Sequence, residues 1–242
     1  MYEAHSEIDT PPDDTVIWRY MDLERLLALL RSRSLYLCRL DHLRDPWEGL
    51  WPTTVLGSIR SELGGCAPGS VDNILKFFNK MPKAFFVSCW HDNPFESAAF
   101  WDQYGNSRGF AIKSTIGRLK NSSRSEMQFF IGRVQYIDYG SPEPMSTFNT
   151  LRPAFLKRKS FEHEREVRVL HWELPFIEKQ LDWSIAKERY DLPVELDALM
   201  ESVYISPVSP TWLLDPIREL LRRFDLSNVQ VLRSELYDRG VE

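Results

Sequence analysis

The fold is decided by the stretch TVIWRYMDLERLLALLRSRSLYLCRL, residues 15–40. Residues 15–20 are rich in β-branched and aromatic side chains, which predicts a short strand. Asp22 is in position to cap a helix that follows directly. Leucines in this helix repeat with helical spacing and predict one buried stripe: Leu23, Leu26, Leu27 and Leu30. Alternating leucines over 34–40 predict a second strand, so the chain opens with strand, helix, strand.

Further strands and helices follow this unit in irregular order. The apolar run KAFFVSCW, residues 83–90, predicts a strand that is buried on both faces. Helices are predicted over 54–63, 71–81, 95–104 and 211–224. Other strands are predicted over 109–113, 127–138, 161–171, 202–206 and 229–233. Because the helices do not strictly alternate with the strands, we expect an α+β fold with a mixed, mainly antiparallel sheet and flanking helices.

The remaining segments define the expected domain organisation. Residues 1–14 are acidic and contain prolines, which predicts a flexible leader before a single α+β domain over 15–242. Residues 174–196 follow neither the helix nor the strand period, and we interpret them as an insertion or a mobile cover. Asp45 and the proline after it predict a structural turn, which frees Glu48 to cap or to pair with a basic residue.

The composition is that of an ordinary globular protein. The 242 residues are 43% hydrophobic and 27% charged, with a formal net charge of −5, which argues against wholesale disorder and against a nucleic-acid coat. Three cysteines without CxxC spacing favour neither a disulfide framework nor a zinc site, and we expect no metal. Because the sequence has no signal peptide and no run of eighteen apolar residues, we expect a cytoplasmic protein without a membrane partner.

Two polar side chains on predicted strands are candidates for ligand binding. Alternation places Arg19 on the face opposite to Trp18 and Tyr20, where a guanidinium can clamp a phosphate or a carboxylate. Ser88 lies near the end of the apolar strand, where a rigidly held side chain is well placed to bond a ligand. The competing interpretation of Arg19 is a solvated surface side chain.

Acidic residues are concentrated in KSFEHEREVR, residues 159–168. In a strand, alternation places one row of charged side chains on a single face: Glu162, Glu164, Glu166 and Arg168. Repulsion raises the pKa of at least one carboxyl unless a cation such as Arg168 or Lys159 lies between them. Such a row suits acid–base chemistry or the stabilisation of a cation. The alternative is an edge strand that carries charge to avoid aggregation.

Four segments cover much of the chain with distinctive sequence: WRYMDLERLLALLRSRSLYLCRLDHLRDPWEG, FFVSCWHDNPFESAAFWDQYGNSRGFAIK, KSFEHEREVRV and VYISPVSPTW. Together they resemble a bacterial family, domain of unknown function 2971, over most of residues 16–235. Trp47 departs from that family, in which phenylalanine is commoner at this position. The family name implies no activity, so function has to be inferred from the candidate residues.

Three short features also occur in a recognisable order: Arg19 on the first strand, Ser88 on a middle strand and Glu164-x-Glu166 on a late strand. This order resembles that of the ADP-ribosyltransferase superfamily. The resemblance implies NAD as a substrate, with Arg19 holding its phosphates or ribose and Ser88 orienting the nicotinamide ribose. It implies that Glu166 stabilises the positive charge that develops as nicotinamide leaves, and that Glu164 deprotonates the acceptor. Three aromatic residues are candidates for stacking on the nicotinamide: Tyr20, Trp90 and Tyr104.

The function predicted from this resemblance is that of an NAD-consuming, ADP-ribosyltransferase-like enzyme. It would act as a toxin or phage-defence effector on an unknown protein or nucleic-acid acceptor, and its Arg19, Ser88 and Glu166 would line one pocket. A non-catalytic nucleotide-sensing or protein-interaction module is the second hypothesis. The third is a metal-dependent nuclease with four acidic residues and a lysine: Asp41, Asp45, Glu164, Glu166 and Lys159.

Overall fold

The computed structural model describes residues 1–62, 69–105, 109–140 and 149–238. Its strands are β1 Val16–Met21, β2 Ser34–Arg39, β3 Phe85–Asp92, β4 Phe110–Thr115, β5 Phe130–Arg133, β6 Gln135–Ile137, β7 Leu156–Arg158, β8 Glu166–Trp172, β9 Phe176–Ile177, β10 Gln180–Leu181, β11 Arg189–Pro193, β12 Ser202–Ile205 and β13 Gln230–Arg233. Its α-helices are α1 Leu23–Ser32, α2 Thr53–Glu62, α3 Ser70–Lys80, α4 Ala98–Phe100, α5 Ile116–Ser122, α6 Leu196–Leu199 and α7 Leu214–Arg223.

Within the described ranges, nine strands form one sheet. Seven of them follow the order β11-β2-β3-β1-β4-β12-β13, while β8 pairs with β3 and β5 pairs with β8. All neighbours in this sheet are antiparallel except β12 and β13. The α+β fold with a mixed, mainly antiparallel sheet is therefore confirmed.

The two edges of β3 are paired differently, and this difference creates a gap in the sheet. Strand β8 runs along one edge of β3 from Phe85 to His91. On the other edge, β2 pairs with Phe86 and Val87, and β1 pairs with His91 and Asp92. Beyond these pairs β1 continues beside β4 alone. Residues 88–90 of β3 thus have no described strand on that edge.

The opening unit folds as its sequence predicts, with one shift in the buried stripe. Asp22 caps α1, since its Oδ1 accepts a hydrogen bond from the Arg25 amide at 2.8 Å. The buried leucines of α1 are Leu26, Leu29 and Leu30, which pack on the sheet. The other two predicted core leucines are exposed, Leu23 by 36% and Leu27 by 40%. The stripe is therefore rotated toward Leu29.

The two faces of the sheet bury separate hydrophobic clusters. On the first face, helices α1, α5 and α7 pack over the sheet. Every second residue of each strand points to this face, and in β3 one of these residues is Trp90. On the second face, Phe85 and Val87 of β3 pack with Trp51, Phe78 and their neighbours. The strand alternation in β3 therefore decides which face each candidate residue can reach.

The acidic leader predicted over residues 1–14 packs against the sheet instead of extending from it as a flexible arm. Tyr2 forms a β-bridge to Phe129, and the Thr10 hydroxyl donates to the carbonyl of Ile131 at 2.6 Å. Ile8 is buried in the cluster on the second face. The segment is ordered because Tyr2, Ile8 and Thr10 attach it to the sheet, although its composition is acidic.

Residues 174–196 also belong to the folded sheet in part, so the interpretation as an insertion or mobile cover is wrong for that part. Arg189–Pro193 forms β11 and pairs with β2 over five residues. Before it, β9 and β10 form a two-stranded hairpin. Glu178 and Lys179, between these two strands, have positive φ. This turn interrupts the alternation of residues from which a strand is predicted.

Two long predicted strands are broken by local turns. The strand expected over 127–138 divides into β5 and β6, which belong to different sheets. The strand expected over 161–171 begins only at Glu166, because Lys159–Glu164 forms a 3-10 turn and Arg165 is left-handed with φ 40°. Of the predicted row only Glu166 and Arg168 are in the strand, whereas Glu162 and Glu164 lie in the turn before it, contrary to the prediction.

The other predicted elements agree with the structure within a few residues, whereas α5 and β7 were not predicted. The helix expected over 95–104 is a short α4 followed by a π-helical turn, Trp101–Gly105. Among the described helices, none combines the length and the apolar character that crossing a membrane requires.

We predict that Gly132→Ala lowers the free energy of unfolding by about 1–3 kcal/mol, because overpacking a core forces neighbours to move. A Cβ at this position would lie 2.3 Å from Cγ2 of Ile8 and 3.0 Å from Cε1 of Phe155. Gly57→Ala in the exposed face of α2 is the matched control, since nothing lies within 4 Å of its Cβ. The control should stabilise the protein by about 0.5–1 kcal/mol. Equal thermal midpoints for both variants would contradict the packing of the N-terminal segment.

Candidate functional site

Arg19 and Ser88 meet at the gap beside β3. The Nη1 group of Arg19 donates a hydrogen bond to Ser88 Oγ, and its guanidinium carbon lies 5.7 Å from the centre of the Trp90 ring. No described carboxylate forms an ion pair with Arg19. Burial lowers the pKa of Arg19 to about 10, although the nearby Cys89 acts in the opposite direction. Arg19 is thus a desolvated cation without a described anionic partner.

Trp90 supplies a second unused donor close to Arg19. Its side chain is 2% exposed, and its Nε1 is buried without a hydrogen-bond partner in the described part of the chain. Unsatisfied buried donors are rare in folded proteins and carry a free-energy cost. An unpaired guanidinium and an unused indole N–H on neighbouring side chains favour a ligand with acceptor oxygens at this gap.

The strand register places the carboxylates on the other face of β3. Cys89 lies opposite Arg168 in β8, and His91 lies opposite Glu166. Ser88 and Trp90 alternate with these residues and share their face with Arg19. Arg19, Ser88 and Glu166 lie on the neighbouring strands β1, β3 and β8, as predicted, but Glu166 is on the opposite face of the sheet from Arg19. That the three line one pocket stays a prediction. A ligand that contacts both sides has to pass the unpaired edge of β3.

A buried ion network surrounds Glu166. Arg168 is fully buried and binds both Glu48 and Glu166, the latter at 2.9 Å. Lys157 lies 3.3 Å from Glu166, 3.2 Å from Glu48 and in contact with Glu164. Four charged side chains that would each be costly to bury alone thereby neutralise one another, and the more exposed Glu164 adds a further negative charge.

Glu166 stays ionised in this network. Burial acts to raise its pKa, but the positive charges of Arg168 and Lys157 outweigh burial and lower the pKa to about 2. Burial raises the pKa of the adjacent Cys89 thiol, and the negative charge of Glu166 raises it further. The sequence analysis named Arg168 or Lys159 as a cation between the carboxylates. Arg168 does lie there, but the second cation is Lys157 and not Lys159. Lys157 lies in a three-residue strand, β7, which has no period from which to predict its burial.

Glu164 occupies a more open position than Glu166. Its side chain is 20% exposed, compared with 6% for Glu166. Its backbone carbonyl accepts a hydrogen bond from His91 Nδ1 at 2.7 Å. The two carboxylates therefore differ in access, although both contact the ammonium group of Lys157.

The three aromatic candidates are used in different ways. Tyr20 is buried, its hydroxyl accepts a hydrogen bond from the Ser97 amide at 2.8 Å, and its ring packs on Phe100. Trp90 is also buried, beneath Arg19. Tyr104 is 38% exposed and stacks on Phe100 with ring centres 5.8 Å apart. Only Tyr104, of these three, offers ring surface to a ligand.

The loop around Asp45 is structural, as predicted. Asp45 is buried, accepts a hydrogen bond from the Trp47 amide at 3.2 Å and pairs with Arg158 at 2.9 Å. Glu48 is free to bind a basic residue, which is Arg168. The turn thus places the Glu48 carboxylate in the buried network.

The acidic residues proposed for a nuclease are dispersed. Asp41 binds Arg39 at 2.6 Å, and Asp45 binds Arg158. No group of three His, Cys, Asp or Glu side chains placed to hold a metal ion occurs within residues 1–62, 69–105, 109–140 and 149–238.

Comparison with known proteins gives similarity only among solved structures. No protein-family model matches the chain, and no curated protein matches it, so the resemblance to domain of unknown function 2971 stays a prediction. DarT from Thermus sp. 2.9 in complex with NAD+ is 10% identical, with a TM-score of 0.41 over 93% of this chain and 98% of that chain. The same DarT in complex with ADP-ribosylated ssDNA is 11% identical, with a TM-score of 0.42 over 94% and 98%.

We predict that the protein loses stability between pH 4.5 and pH 2 in a way that depends on Glu166. Because the pKa of Glu166 is lowered in the folded state, its contribution is present above the unfolded pKa and disappears as pH falls toward 2. The contribution is of the order of 3 kcal/mol. Chemical denaturation across this range should give a flatter profile for Glu166→Gln than for wild type. The exposed control Glu235→Gln should follow wild type, and parallel profiles for all three proteins would contradict the network.

Proposed function

We propose that this protein is an NAD-using, ADP-ribosyltransferase-like enzyme. The observation that carries the proposal is the Arg19 guanidinium, which has no described carboxylate partner and is held by Ser88 at the unpaired edge of β3. The ionised carboxylate of Glu166 lies across the same strand. NAD combines a diphosphate, an aromatic base and a glycosidic bond whose cleavage develops positive charge. The unpaired cation of Arg19 suits the diphosphate, and the exposed ring of Tyr104 suits the aromatic base. The buried carboxylates suit the positive charge that develops at the glycosidic bond.

The proposed role of Arg19 is to bind the diphosphate or the adjacent ribose. A guanidinium presents several donors in one plane and suits phosphate oxygens. Ser88 already fixes Arg19 by a hydrogen bond and would orient the nicotinamide ribose. The unused Nε1 of Trp90 would donate to a further ligand oxygen. Binding would then satisfy donors that the protein leaves without partners.

The proposed roles of the two carboxylates follow from their different access. Glu166 is buried and ionised, so it would stabilise the oxocarbenium-like charge as nicotinamide leaves. Glu164 is more exposed and would deprotonate the acceptor. Tyr104 would stack on the nicotinamide, since its ring surface is accessible. NAD would pass around the unpaired edge of β3, with its diphosphate toward Arg19.

The acceptor in this proposal is a protein or a nucleic acid. Transfer of ADP-ribose to an essential member of either class would block its function, which is the action proposed for a toxin or phage-defence effector. The two acceptor classes can be separated by incubating the protein with labelled NAD and either oligonucleotides or a protein mixture. Label on one class and not the other would identify the acceptor.

A second candidate function is nucleotide binding without cleavage. It is favoured by the register of β3 and β8, which directs Glu166 to the face opposite Arg19. It is also favoured by Arg168 and Lys157, which already occupy the oxygens of Glu166. In a sensing module these charges would serve stability alone.

We predict that Arg19→Met weakens NAD binding by about 100-fold, because a charge-assisted bond to a phosphate is lost. Trp90→Phe keeps a ring but removes the Nε1 donor, so it should weaken binding by about tenfold while leaving the thermal midpoint equal or higher. The surface variant Arg31→Met on α1 is the control. Isothermal titration with NAD gives the affinities, and unchanged affinity in Arg19→Met would contradict the site.

We predict that Glu166→Gln lowers nicotinamide release by about 100-fold or more, because the negative charge opposite the developing cation is removed. Glu164→Gln should retain simple hydrolysis and lose transfer to an acceptor. Chromatography of nicotinamide measures cleavage, and NAD titration confirms that both variants still bind. Binding of NAD by wild type without any nicotinamide release would support the sensing module instead of the enzyme.

A further inference from the structure

We propose that His91 is a positioning residue that couples the aromatic surface at Tyr104 to the turn that carries Glu164 and leads into Glu166. This inference rests on the proposed function, because it assigns a role within the same site. His91 is 3% exposed and belongs to β3, between the unpaired edge and the carboxylates.

The hydrogen bonds of His91 fix its tautomer. The Glu164 carbonyl can only accept, so the proton lies on Nδ1, 2.7 Å from that oxygen. Nε2 then accepts from the amide nitrogen of Asn93, 3.3 Å away. Burial lowers the pKa of His91, which agrees with a neutral ring. His91 thus holds the backbone at Glu164 as a neutral donor.

The held backbone is a strained turn. Arg165 adopts φ 40°, a left-handed conformation that a non-glycine residue rarely adopts and that its surroundings must maintain. The Asp92 amide donates to the Arg165 carbonyl at 2.9 Å, next to the bond from His91 to Glu164. Two consecutive residues of β3 therefore anchor two consecutive carbonyls of the turn. These two bonds fix the backbone that leads from Glu164 to Glu166.

The His91 ring also supports the aromatic surface. Phe100 lies 4.4 Å from it between ring centres, and Tyr104 stacks on the same Phe100 at 5.8 Å. A ligand ring placed against Tyr104 is connected to the Glu164 carbonyl through Phe100 and His91. His91 is thus the side chain that contacts both the ring beneath Tyr104 and the backbone at Glu164.

Two substitutions separate the two contacts of His91. His91→Phe keeps a ring beneath Phe100 and removes the donor to Glu164, whereas His91→Asn keeps an N–H near the Nδ1 position and removes the ring. With nicotinamide release as the assay, His91→Phe should lower kcat about tenfold with KM for NAD within twofold. His91→Asn should retain most of kcat and raise KM. His171→Phe is the control, because His171 Nδ1 makes a similar bond to the Gln128 carbonyl at 2.8 Å.

Hydrogen exchange tests the positioning role without any activity. Backbone amides in residues 159–166 should exchange at least about tenfold faster in His91→Phe than in wild type and in His171→Phe. If wild type releases no nicotinamide, the proposed enzyme fails while this measurement still tests His91. Unchanged exchange in His91→Phe would overturn the inference. Equal loss of kcat in His91→Phe and His91→Asn, with faster exchange throughout the protein, would also overturn it, because it would show a general structural role.

Discussion

Strand β3 joins both halves of the sheet, and its two edges are paired unequally. One edge is paired with β8 from Phe85 to His91, while the other is shared by β2 at its start and β1 at its end. A backbone that leaves donors and acceptors unpaired in the sheet has to expose them to solvent or to a ligand. The cation and the unused indole donor lie beside this unpaired edge, which makes it the natural position for a ligand.

The buried charges on the second face constrain the sequence as strongly as the hydrophobic core does. Arg168 has no exposed surface, so Glu48 and Glu166 are needed to neutralise it, and removing one partner would leave an uncompensated charge. Lys157 joins both carboxylates to Glu164. The network ties the turn at Asp45, strand β7 and strand β8 together. It also keeps a negative charge available at low dielectric, which catalysis of NAD cleavage would require.

Much of this fold could be predicted because its strongest signals are local. The strand, helix and strand over residues 15–40 follow their periodicity and cap, and the apolar strand β3 is as buried as its composition predicts. Alternation indicated Arg19 and the strand end indicated Ser88, while the resemblance to the ADP-ribosyltransferase superfamily grouped them in one site. These signals arise from contacts within a few residues, which sequence patterns record directly.

The parts that could not be predicted depend on contacts between distant residues. The Glu-rich segment has a strand period, yet Lys157 and His91 hold its first half as a turn before Glu166. The face on which Glu166 lies is set by the register of β8 against β3, and a shift of one residue would reverse it. Likewise the burial of Ile8 depends on the space above Gly132, which no pattern near residue 8 indicates.

A crystal structure of the complex with NAD would show whether NAD binds across the unpaired edge of β3. We expect a diphosphate oxygen within about 3 Å of the Arg19 guanidinium, with the nicotinamide toward Tyr104 and the carboxylate side of β3. NAD bound elsewhere on the protein, with Arg19 still bonded to Ser88 alone, would show that this edge is not the NAD site.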